Sequence, residues 1–183
     1  MDNQIVVDAL IACDAVKFGD FTLASGQKSN FYIDIKKAST DPKTLKIIAK
    51  CIGNIVEAIT VTTQNDQVII GGVELGGVPI ATAVSLETEY PLLIIRKEVK
   101  GYGTKSRYVG DLDLTKEIIL MEDVTTSGGS VKKAIEALKE DGATVKRVIT
   151  IVDRESGAAE SLKGIGVELI PLVRSSELVK NKK

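Results

Sequence analysis

The chain has 183 residues, 44% of them hydrophobic, which is enough for one domain with a buried core and too few for two. Its 24 Lys and Arg are offset by 25 Asp and Glu, a net charge of −1, so no global basic field argues for nucleic acid or an anionic membrane, and any cation a charged ligand needs must be local. With no histidine in the chain, a His-based triad, a His metal site and a His proton shuttle are excluded. Cys13 and Cys51 lie far apart in apolar helical patterns and read as reduced core thiols. No signal peptide opens the chain and no apolar run approaches the ~20 residues of a membrane span, so the cytoplasm is the expected location.

In chain order, the first pattern is helical: Ile5, Val6, Ala9, Leu10 and Cys13 predict an amphipathic helix over residues 4–16. The stretch FGDFTLASGQKSNFYID, residues 18–34, carries strand-like runs at 21–23 and 31–35 around a Ser-Gly-Gln-Lys-Ser turn. Its aromatics equally suit a small local core. Asp41 before Pro42 is a helix start, an N-cap followed by a ring that presets the first helical φ. From there Leu45, Ile48, Ala49, Ile52, Ile55, Val56 and Ile59 keep one face apolar. A polar loop at 60–67 leads to a short buried strand at 68–70.

GGVELGGVP, residues 71–79, is a glycine-rich loop between that strand and a helix over 80–86. Four glycines in seven residues predict close backbone approach to a ligand, or positive φ in a tight turn. Residues 91–95 form a further apolar strand that runs into RKEVKGYGTKSRYVG. Here Arg96, Lys97, Lys100, Lys105 and Arg107 place five cations in twelve residues, with Gly101 and Gly103 among them. Alone, such a run describes a solvated face. Beside a polyphosphate site in a neutral protein, it describes a cationic cover that closes over the ligand and excludes water.

The chemistry is plainest at IILMEDVTTSGGSV, residues 118–131. A strand-like run, 118–121, is followed by Glu122 and Asp123. After Val124 come Thr125, Thr126, Ser127, Gly128, Gly129 and Ser130, and then KKAIEALKE, a helix closed by Gly142. Small residues let the backbone approach, successive N–H groups point at one spot, and the helix N-terminus adds partial positive charge, which together make a phosphate cradle. A carboxylate beside a phosphate repels it, so Glu122 and Asp123 suit sugar hydroxyls on the same ligand. The ligand so described is a ribose 5-phosphate unit. The loop is neither a Walker loop, since no Lys follows the glycines, nor GxGxxG; an ordinary strand-to-helix turn with exposed acids has the same composition. A β-branched strand at 145–152 then ends in Asp153-Arg154-Glu155, placing Arg154 where open parallel sheets bind ligands. A surface ion pair with either acid is the competing reading. A last strand at 167–170, a helical turn at 175–179 and a basic tail complete the chain.

Strands and helices alternate from residue 68 onward at βαβ spacing, which predicts an α/β fold with a central parallel sheet flanked by helices. The loops at 71–77, 122–130 and 153–155 would converge at one edge of that sheet. Residues 1–183 read as a single domain.

These stretches together resemble the type I phosphoribosyltransferases, and the orotate phosphoribosyltransferase family in particular. The acidic strand and its Thr/Ser/Gly loop are similar to the family's motif for phosphoribosyl pyrophosphate (PRPP). FTLASGQKS is similar to the Phe-Thr-Leu-x-Ser-Gly-x-x-Ser pattern that separates orotate enzymes from purine enzymes. The basic run resembles Arg-Lys-Glu-x-Lys-x-His-Gly at Arg96, Lys97, Glu98, Lys100 and Gly103. Tyr102 departs from the family's His, and Gly76 and Ala24 stand where many bacterial members have Lys.

The resemblance implies a Rossmann-like sheet with a small hood built mainly from 1–40 and about 165–183. It also implies conversion of orotate and PRPP to orotidine 5′-phosphate and pyrophosphate. Mg²⁺ would be held largely through pyrophosphate and water oxygens, with no dedicated protein ligands. A homodimer is implied in which the loop around Lys100 and Tyr102 covers the neighbouring site. Among the residues, Lys100, Arg96 and Lys97 would meet the pyrophosphate charge, and Glu74, Leu75 and Gly76 would form the pyrophosphate loop, with a cis peptide at 75–76. Thr126 and Arg154 would face orotate. The alternatives are a purine phosphoribosyltransferase and a non-catalytic PRPP-sensing regulator. Such regulators carry a nucleic-acid-binding attachment, for which the chain has neither spare length nor a basic helix.

Overall fold

The structure, a computed structural model, describes residues 3–22, 28–65, 67–97 and 107–180. Helix α1 (Gln4–Ala12) buries Val6, Val7, Ala9 and Leu10. It stops short of the predicted residue 16 because Asp14, at φ 59, turns the chain and the Ala15 amide bonds back to the Leu10 carbonyl at 2.9 Å. β1 (Val16–Thr22) and β2 (Lys28–Ile33) then pair antiparallel as a separate two-stranded sheet. Ile35, expected in the second strand, instead opens the short helix α2 (Ile35–Thr40), whose six residues are too few to give a periodic signal.

α3 (Pro42–Thr63) starts where the sequence predicts, with the Asp41 carboxylate accepting the Thr44 N–H at 2.8 Å. It runs into the expected loop because Thr60, Thr62 and Thr63 turn their hydroxyls back onto carbonyls of the preceding turn, until Gln64 ends it at φ 51.

From there the chain alternates: β3 (Val68–Val73), α4 (Gly77–Thr88), β4 (Leu92–Ile95), β5 (Tyr108–Val109), β6 (Glu117–Thr125), α5 (Gly129–Glu140), β7 (Thr144–Asp153), α6 (Ala158–Lys163), β8 (Glu168–Arg174) and α7 (Ser175–Lys180). The six strands stand in the order β5-β4-β3-β6-β7-β8, all parallel except β5. Alternation along β6 feeds two cores. Ile119 and Met121 pack with residues of α1, α3 and α4, whereas Ile118 and Leu120 pack with residues of α5 and with Leu162 of α6. This is the predicted sheet flanked by helices. One expectation is corrected: strand β8, placed by the resemblance in the hood, pairs with β7 from Arg147↔Glu168 to Asp153↔Arg174 and buries Leu172 and Val173 at the edge of the main sheet. Of the described residues at the chain end, only α7 lies beyond that sheet.

Gly71 shows how tightly the centre is packed. A Cβ built there would lie 2.6 Å from Leu120 Cδ2 and 2.8 Å from Ile118 Cγ2. Gly71→Ala is expected to cost about 1–3 kcal/mol through overpacking, read as a lower urea midpoint. An unchanged midpoint would show that β6 can yield.

Candidate active site

Parallel strands put the segments that follow β3, β4, β6 and β7 at one edge of the sheet. β6 does not stop before the acids as predicted. Its ladder continues through Glu122, Val124 and Thr125 to Thr150, Val152 and Asp153 of β7. Gly128, left-handed at φ 76, then turns the chain into α5, whose first-turn amides have no acceptor within the helix. Glu122 and Val124 through Ser130 line one cavity of about 170 Å³, so the structure brings together the residues expected to form the cradle, apart from Asp123, which does not line it.

Gly129 and Ser130 also line a second cavity of about 460 Å³, together with Arg96, Lys97, Arg107 and Lys133. Among the described residues, none of these four cations forms an ion pair. Arg96 and Lys97 were expected here. Arg107 figured in the sequence only as part of a charge run, and Lys133 was not singled out. Its signal was the three-residue spacing from Ser130, which puts both on one face of α5. Lys100 and Tyr102 lie outside the described residues, as does Ala24.

The turn after β3 carries two corrections. The cis peptide joins Glu74 to Leu75, one bond before the expected place, and Gly76 has helical angles (φ −64, ψ −35) as the cap of α4. None of Gly71, Gly72, Gly76 and Gly77 sits at positive φ. They permit close approach within the chain itself: a Cβ on Gly77 would strike the Met121 carbonyl oxygen, and one on Gly76 would overlap the Asp123 carboxylate. Asp123 Oδ1 accepts the Val124 N–H at 2.7 Å, and Glu74 Oε2 accepts the Lys97 N–H at 3.2 Å, joining this turn to the end of β4.

Glu122 does not behave as an ordinary carboxylate. Burial first, and then the hydrogen bond and charge of Asp123, push Glu122 from 4.5 up to about 8. Its Oε2 is buried with no partner. At neutral pH Glu122 is therefore largely protonated, where the sequence suggested two carboxylates. Because its folded value lies above the unfolded one, Glu122 contributes stability that is full below pH 4.5 and is lost as pH rises toward about 8. The stability difference between wild type and Glu122→Gln should accordingly drift across this window, read by urea midpoints at about pH 5 and about pH 8. Parallel profiles would mean that Glu122 titrates normally.

Arg154 lines neither cavity, but its N–H donates to the Thr125 carbonyl of the cradle at 2.9 Å. Nη2 reaches the Ile33 carbonyl at 3.4 Å, and Nε is buried without a partner. The competing ion pair with Asp153 or Glu155 is not formed among the described residues. Asp153 Oδ1 instead accepts the Thr125 hydroxyl and the Glu155 N–H, each at 3.1 Å. No helix among the described residues is long and apolar enough to cross a membrane.

Comparison with known proteins agrees with this geometry. Residues 37–167 match the family model described as "Phosphoribosyl transferase domain". The chain is 62% identical over 178 residues to orotate phosphoribosyltransferase of Methanosarcina mazei, covering 97% of this chain and 92% of the relative. It is 61% identical, with the same coverage, to that of Methanosarcina acetivorans. The crystal structure of orotate phosphoribosyltransferase from Aeropyrum pernix superposes with a TM-score of 0.76 at 28% identity, covering 96% of this chain and 97% of that one. A cradle after a central parallel strand, on a sheet of this order, defines a type I phosphoribosyltransferase. The chain belongs to the orotate phosphoribosyltransferases of that family.

Proposed function

We propose that this chain transfers the ribose 5-phosphate of PRPP to orotate, giving orotidine 5′-phosphate and pyrophosphate, a step in pyrimidine (UMP) synthesis. The observation that carries this reading is the pair of adjoining cavities, which meet at Gly129 and Ser130: one has the chemistry of a phosphate cradle and the other is lined by four cations. A ribose phosphorylated at both ends needs that pairing. The amides of 125–129 receive the 5′-phosphate. Asp123 and protonated Glu122 take the ribose hydroxyls, Asp123 as acceptor and Glu122 as a neutral partner. Arg96, Lys97, Arg107 and Lys133 receive the pyrophosphate, joined by Lys100 and Tyr102 and by the turn at Glu74, Leu75 and Gly76. Thr126 and Arg154 face the base, whose carboxylate suits a guanidinium.

As the bond from C1 to the pyrophosphate oxygen breaks, its electron pair leaves with the pyrophosphate; the new bond uses the electron pair of the base nitrogen, whose N–H proton passes to the pyrophosphate or to solvent. The surrounding cations stabilise that charge, while Asp123 favours the cationic sugar carbon. Among the described residues no group of three or more Asp, Glu or Cys could hold a metal ion. With Glu122 largely protonated, the site suits an ion that arrives on its ligand. Mg²⁺ would be held largely through pyrophosphate and water oxygens and would neutralise phosphate charge. The working form in this reading is a cytoplasmic homodimer whose basic loops cover the neighbouring sites.

Loss of orotate followed by absorbance, in PRPP and Mg²⁺, tests the reading against adenine, hypoxanthine and uracil. Orotate should be preferred by at least about a hundredfold in kcat/KM, since a site built for a carboxylate rejects bases that lack one. Preference for a purine, or no turnover with any base, would overturn it.

A further inference from the structure

We propose that Glu155 is a positioning residue for base recognition: its carboxylate fastens the segment carrying Arg154 to the first turn of α7, so affinity for orotate depends on a side chain that never touches the base. This rests on the reaction proposed above.

Arg154 is held only loosely by its own side chain, which among the described residues has one 3.4 Å bond and a buried, unpartnered Nε. Its place is set by the backbone on either side. Toward the phosphate cradle, the Arg154 N–H is bonded to the Thr125 carbonyl, and Asp153 Oδ1 bridges the Thr125 hydroxyl and the Glu155 N–H. On the other side the β7–β8 ladder ends at Asp153↔Arg174, and among the described residues Glu155 carries the attachment one step further, past Arg154. Its Oε2 accepts the Ser176 N–H at 2.7 Å and the Ser175 hydroxyl at 3.0 Å, and its Oε1 accepts the Ser176 hydroxyl at 3.1 Å. These bonds keep the carboxyl below its usual range, the Ser176 amide first, so it stays charged at neutral pH.

Two further facts argue against an incidental contact. Glu155 has φ 55, a left-handed conformation that glycine adopts far more easily, so its side chain must offset that cost. The anchor is also rooted: α7 buries Leu178 completely in the core that it shares with α3 and α4. The carboxylate itself is exposed, and water competes for its hydrogen bonds. Removing it should therefore loosen Arg154 while leaving the fold nearly as stable.

The test is steady-state kinetics, varying each substrate with the other saturating, for wild type, Glu155→Gly and Glu155→Gln. Glycine relaxes the backbone and removes the acceptor; glutamine keeps an acceptor. Glu155→Gly should raise KM for orotate about tenfold, with KM for PRPP within about twofold and the melting temperature nearly unchanged, while Glu155→Gln should stay within about threefold of wild type. If Glu155→Gly does not fold, the double variant Ser175→Ala, Ser176→Ala decides, with an expected rise of about threefold in orotate KM alone. An unmoved orotate KM, or an equal rise in both constants, would reduce Glu155 to a helix cap. Wild type that turns over orotate, with such a result, sinks this role alone; wild type that does not turn over orotate sinks the assigned reaction and this role together.

Discussion

Lys100→Ala should lower kcat by about 10²–10³-fold while changing KM for PRPP only a few fold. The split follows from where the cations sit. Arg96 and Lys97 follow β4, Arg107 precedes β5, and Lys133 lies on the first turns of α5; all four line the larger cavity. Cations carried beside these elements meet a pyrophosphate group that is already anionic in PRPP, so much of their attraction is present before bond cleavage and appears in KM as well as in kcat. Lys100 belongs instead to a stretch with glycines on either side of Tyr102, the composition of a cover that reaches the leaving group as the site closes. Its charge should count most in the transition state. Single-turnover measurements would separate this chemistry from product release, and near-normal turnover in the variant would remove Lys100 from the mechanism.

Gly76→Lys should lower kcat/KM by about tenfold to a hundredfold, although it restores the residue found in many bacterial members of the family. A Cβ at position 76 would overlap the Asp123 carboxylate, and that carboxylate is held by the Val124 amide at 2.7 Å. Any side chain there displaces the acid expected to hold the ribose. Gly76→Ala makes the same test without the added charge and should lose nearly as much. Because the displaced group is the end of a side chain and not backbone, the melting temperature of both variants should stay close to wild type. Tighter PRPP binding with Lys and no change with Ala would mean that Asp123 has room to move and that the glycine merely forgoes a cation.

Residues close in sequence made much of this site legible. The stretch from Glu122 to Ser130 becomes a cradle through strand, turn and helix start alone, and the Asp41-Pro42 pair announces α3 for the same reason: both depend on φ and ψ choices of consecutive residues. The alternation from residue 68 onward likewise implied the parallel sheet, since each unit carries its own hydrophobic period.

What the chain could not announce depends on which strand lies beside which. Glu122 keeps a proton because burial and contact with Asp123 raise its pKa, and desolvation is a sum over many neighbours remote in sequence. Gly76 and Asp123 touch only because β3 stands next to β6, and Lys133 joins Arg96 and Arg107 only because α5 packs on that side of the sheet. β8 closes the main sheet, and Glu155 reaches Ser176, through pairings that no local spacing encodes. Local backbone preference thus wrote the phosphate cradle into the sequence, while long-range packing settled the proton on Glu122, the company of its cations and the hold on its arginine.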